Sequence, residues 1–154
     1  MNEDDRPDLM DLFAGIGVAV GAIVAIVAVC LALGWIEEPL EGEDGPSGVL
    51  ISAVWTFLVA GLACARWLLL RVDPDAEVLS AAIVGIGIAI LVYPFFAFGF
   101  ESAAIGLAAN LLVAGALVFT GLRAARLSGL AAAFLFVPVL WFGYASYRTV
   151  QLTM

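Results

Sequence analysis

The sequence predicts an all-α integral membrane protein: a bundle of five transmembrane helices, N-terminus cytoplasmic and C-terminus outside. Three observations predict it. Hydrophobic residues make up 64% of the 154 and charged residues only 13%, against about 25% charged in soluble domains. With a mean hydropathy of +1.13, that much apolar surface calls for lipid as its solvent. Polar breaks divide the chain into five apolar stretches, each near the ~20 residues that cross a bilayer at ~1.5 Å per residue. Finally, all six basic residues are Arg, and along the successive polar segments they number one, zero, two, zero, two and one. A cytoplasmic N-terminus puts all of them inside except Arg148, as short-loop charge bias requires.

Residues 1–11, MNEDDRPDLMD, form an acidic tail containing Arg6. A secretory leader would open with positive charge and a shorter apolar core, so the run 12–36 is expected to be a retained first span. On it Ala14, Gly17, Gly21, Ala25, Ala28 and Ala32 recur every three or four residues, which makes one helical stripe. Small residues let helices approach closely in lipid, so Gly17 and Gly21 are candidate packing positions. EEPLEGEDGPSG, 37–48, holds two Pro, three Gly and five acids and is expected to be a solvated loop. Its EGEDG lacks the ligand pattern of a calcium loop.

The second span is expected over 49–70. It carries Thr56, a modestly polar position, and ends beside Arg66 and Trp67. Arg66 is read as an inner-interface residue whose stem stays in the apolar layer while its guanidinium snorkels to the headgroups. A buried charge marking a pathway is the alternative. Asp73-Pro74 is a good opening for the third helix, with the span over 79–98 and a kink at Pro94.

Between Glu77 and Arg123 the only charged residue is Glu101. One helix across that interval would far exceed a bilayer, so the chain is expected to turn at Gly99 to Ser102. Ser102 then caps the next helix and Glu101 lies in the headgroup region. The fourth span, 103–122, has Ala103, Gly106, Asn110 and Ala114 on one face. Asn110 is the most polar residue deep in any span. Its amide is read as interhelical glue worth roughly 1 kcal/mol, with Ser52 or Thr56 as partner, so Asn110→Leu is expected to loosen the bundle. The other reading puts Asn110 in a substrate or ion path. Ser128 suits the cap of a fifth span over 130–147, which contains Pro138, followed by a tail at 148–154.

Trp35, Tyr93, Phe95, Phe96, Phe98, Phe100, Tyr144 and Tyr147 all fall toward the outer ends of their spans, as an interfacial aromatic belt requires. The functional alternative is an outer aromatic pocket, with Tyr93 and Glu101 at its rim, for a lipid-like or cationic ligand.

Function is bounded mainly by exclusion. With no His, no Lys and no paired cysteines, metal, haem and acid–base sites lack their ligands, so no catalysis, metal or cofactor is expected. A net charge of −8 opposes nucleic acid partners and matches the composition of proteins from salt-adapted prokaryotes. What remains is a multi-pass protein of the cell membrane whose partners are the bilayer and either further copies of itself or other membrane subunits. It is read as an accessory, assembly or self-associating subunit. The alternative is a small transporter or oligomeric channel for a small solute or lipid-like ligand.

Overall fold

The computed structural model describes residues 7–34, 48–99 and 102–153. Among them are five α-helices: α1 (Leu9–Ala32), α2 (Gly48–Val72), α3 (Glu77–Gly99), α4 (Ala103–Ala124) and α5 (Gly129–Thr153). All five are long and apolar enough to cross a membrane. Glu101 and residues 35–47, which include most of the acidic 37–48 segment, lie outside the described residues.

The helix ends follow local chemistry, with four departures from expectation. α1 starts at Leu9, inside the acidic tail, because Asp8 caps it. The Asp8 carboxylate accepts from the Met10 and Asp11 amides, and Asp11 accepts in return from the Asp8 amide. This reciprocal box satisfies donors that the first turn leaves free. The same helix stops at Ala32, short of Ile36, because Gly34 takes φ +70°, a left-handed conformation that glycine adopts without strain. Asp73 accepts from the Asp75 amide at 3.1 Å, so Pro74 lies in a turn and α3 begins at Glu77. α5 runs past Tyr147 to Thr153, since nothing in RTVQLT breaks a helix. Ser146 and Thr149 also donate their hydroxyls back to the carbonyls of Phe142 and Ala145. Ser128 caps α5 as expected, accepting from the Ala131 amide at 3.2 Å, whereas Ser102 occupies the N-cap of α4 without a side-chain bond.

Four helices close a ring. α2 packs on α3, α3 on α4, α4 on α5 and α5 on α2, while α1 lies outside against α2 and touches α3. The interior is built from Val59, Leu62, Ala65 and Leu69 of α2, Ile83, Ile86 and Ile90 of α3, Val113 and Leu117 of α4, and Ala131, Leu135 and Phe142 of α5. Within each set the spacings are three, four or seven residues, which keeps it on one helix face. α4 and α5 are tightly packed at Gly121, where an added Cβ would lie 3.1 Å from Phe136. Cys30 and Cys64 are free thiols.

Two predicted faces turn out differently. On α4 the buried row passes through Gly106, Asn110, Val113 and Leu117, while Ala103 is exposed and Ala114 only half-buried. On α1 the bulkier side meets the bundle through Ile23 and Cys30. Ala14, Gly17, Gly21, Ala25, Ala28 and Ala32 are all exposed, and a Cβ on Gly17 or Gly21 would meet no atom of the described residues within 4 Å. The α1 glycine that faces a neighbour is Gly15, where an added Cβ would lie 3.8 Å from the Ala63 Cβ. Because these helices are apolar all round, hydropathy does not choose the inward face.

Candidate functional site

Inside the ring, each of the four helices contributes one side chain to a single cluster. Trp55 of α2 and Tyr93 of α3 stack with centroids 5.6 Å apart and planes 27° apart. Phe142 of α5 meets both rings edge-on, at 6.3 Å from Trp55 and 5.8 Å from Tyr93. Stacked and edge-to-face geometries are those that the aromatic quadrupole favours. Asn110 of α4 completes the set and is 0% exposed. Counted along their helices, Trp55, Tyr93 and Asn110 each lie roughly 10 Å below the same end of the bundle.

The side chain of Tyr93 comes up against that of Asn110 but outside hydrogen-bonding geometry. Both the Oδ1 and the Nδ2 of Asn110 are buried with no partner among the described residues. Thr56, the expected partner, donates instead to the Ser52 carbonyl of its own helix at 2.8 Å. A hydroxyl in lipid satisfies itself locally when a carbonyl lies one turn away. The bond foreseen from Asn110 to Ser52 or Thr56 is therefore not made, Tyr93 being the polar side chain beside the amide, and a buried polar group left unsatisfied costs roughly 1–3 kcal/mol. One turn along the same face, Gly106 is buried, yet a Cβ there would meet no atom of the described residues within 4 Å.

The chemistry on offer is recognition. An amide presents two donors and an acceptor, and the three rings present flat apolar faces. Tyr93, expected at the interface, is turned inward here. Trp55 and Phe142 escaped the sequence reading. Their signal was depth: Trp55 lies a third of the way into its span, where a belt tryptophan does not sit.

Arg66 lies toward the opposite end of the bundle. Its Nε donates to the Ser80 Oγ at 2.9 Å, bridging α2 and α3. Beside it, the Trp67 indole donates to the Asp8 carbonyl at 2.6 Å, and the Arg71 guanidinium lies 4.8 Å from the centre of the Trp67 ring.

Comparison with curated proteins returns no match, and none is found among solved structures. Residues 12–154 match the TspO/MBR family. That match spans all five helices and both ends of the bundle, so the chain is a multi-pass membrane protein belonging to the TspO/MBR family.

Proposed function

We propose that the protein binds a small, flat, largely apolar ligand carrying a hydrogen-bonding group, taken up inside the ring of α2 to α5. The observation that carries this reading is the buried Asn110 amide with neither polar atom partnered. The stacked and edge-on rings of Trp55, Tyr93 and Phe142 support it. A membrane-embedded site collects such molecules from the hydrocarbon phase, so the reading favours a carrier or sensor of a lipid-soluble compound and assigns no catalytic step.

Two tricyclic probes of similar shape test it: acridone, which has an N–H and a carbonyl, and anthracene, which has neither. Quenching of tryptophan fluorescence in the detergent-solubilised protein is expected to show acridone bound roughly tenfold more tightly, the effect of one net hydrogen bond of ~1.4 kcal/mol. Asn110→Leu should erase the preference while leaving anthracene binding in place. Equal affinity for both probes in the wild-type protein would refute the proposal.

A second reading, self-association or service as a subunit, is favoured by the outward stripe of α1, where Gly17 and Gly21 are open to a neighbour. In lipid such a face permits close helix contact. Gly17→Cys and Gly21→Cys chains oxidised in native membranes should form disulfide-linked dimers. An exclusively monomeric product would reject this second role.

The Arg distribution supports placing the N-terminus on the cytoplasmic side of the cell membrane. A thiol introduced as Ser128→Cys should then react with an impermeant maleimide only after the cells are opened.

A further inference from the structure

Arg66 borders a groove of about 520 Å³ between α2 and α3, lined by Arg66, Leu70, Pro74, Glu77, Ser80, Ala81 and Val84. It lies at the end of the bundle opposite the aromatic cluster. Ser80 is only 6% exposed, and its hydroxyl holds the Nε of Arg66. The Nε edge of the guanidinium is thereby engaged, and Arg66 lines the groove. Among the described residues Arg66 has no carboxylate partner. Glu77 shares the groove wall without pairing to it. An unpaired cation and an unpaired anion on one wall are unusual so near lipid, where ionic groups seek partners.

Depth orders the lining. Glu77 and Pro74 stand at the mouth, where α3 begins. Arg66 and Ser80 lie beneath them, and Val84 lies roughly 10 Å into α3. From surface to interior the groove therefore presents a carboxylate, a guanidinium and an apolar wall. A phospholipid with an amine headgroup presents the matching series: ammonium, phosphate and acyl chain. We infer that the groove is a docking site for one such lipid, its phosphate on Arg66, its ammonium on Glu77 and a chain along Ala81 and Val84. The planar guanidinium fork suits a phosphate's oxygens. The neighbouring acids Asp73, Asp75 and Glu77 oppose a lipid with net negative charge.

Native mass spectrometry of the protein reconstituted in nanodiscs of equal phosphatidylethanolamine and phosphatidylglycerol, then released into detergent, tests the assignment. The wild-type protein should retain one phosphatidylethanolamine in preference to phosphatidylglycerol. Arg66→Gln should lower total retained lipid roughly tenfold, the effect of losing a charge-assisted bond. Glu77→Gln should abolish the headgroup preference while phosphate-dependent retention persists, and Ser80→Ala, which frees the guanidinium without removing its charge, should fall between. Circular dichroism confirms that each variant is folded, and Glu77→Gln serves as the folded control should Arg66→Gln fail. Retention that is indifferent to Arg66, or a wild-type preference for phosphatidylglycerol, would overturn the inference.

Discussion

Trp55 stacks on Tyr93 across the α2/α3 interface at 5.6 Å, and the Tyr93 side chain meets the buried Asn110 amide. Trp55→Ala removes this stacking and should destabilise the protein by about 3 kcal/mol, as large-to-small aromatic changes do. Tyr93→Phe keeps the ring and should change stability by less than about 1 kcal/mol. Denaturation in mild detergent, followed by circular dichroism, separates the two.

Asn110→Leu should not loosen the bundle. Among the described residues the amide makes no hydrogen bond of good geometry, only a contact with the Tyr93 side chain, and an apolar side chain replaces it. The ligand-free variant is therefore expected to be more stable by about 1 kcal/mol or more. A lower melting temperature than wild type in the absence of ligand would show that the amide has a partner after all.

Glycine substitutions should sort by what faces them. Gly121→Ala drives a Cβ to within 3.1 Å of Phe136 and should cost about 1–3 kcal/mol through overpacking. Gly85→Ala meets no atom of the described residues within 4 Å and should gain roughly 0.5–1 kcal/mol of helix propensity. Gly106→Ala adds a methyl one turn from Asn110 on the same buried face and should weaken acridone binding. Melting and probe titration on the three variants check all of these outcomes.

The start of α1 is held by the Trp67 indole on the Asp8 carbonyl. Trp67→Phe removes that donor while keeping an aromatic ring. The exposed bond is worth about 0.5–1 kcal/mol, so global stability should barely change. Hydrogen exchange should rise in the first turn of α1 and nowhere in α4. Unchanged exchange at Met10 and Asp11 would show that the capping box alone secures that end.

The sequence by itself determined the solvent, the number of helices and where several of them start. Those properties follow from composition and from local groups such as Ser128, which caps a helix through atoms three residues away. The bond from Arg66 to Ser80 of the next helix was not legible, because it depends on which helix lies alongside. The inward faces were decided only by the tertiary structure. Gly17 and Gly21 looked like buried packing positions and point outward, while Trp55 and Phe142 went unnoticed and lie at the centre. In water, burial separates apolar from polar residues and so leaves a periodic trace. In lipid both faces of a helix are apolar, and only the shape of neighbouring helices selects one. The unpartnered amide of Asn110 is likewise a fact of four helices meeting, since the one-dimensional chain shows a polar residue but not whether anything lies within its reach.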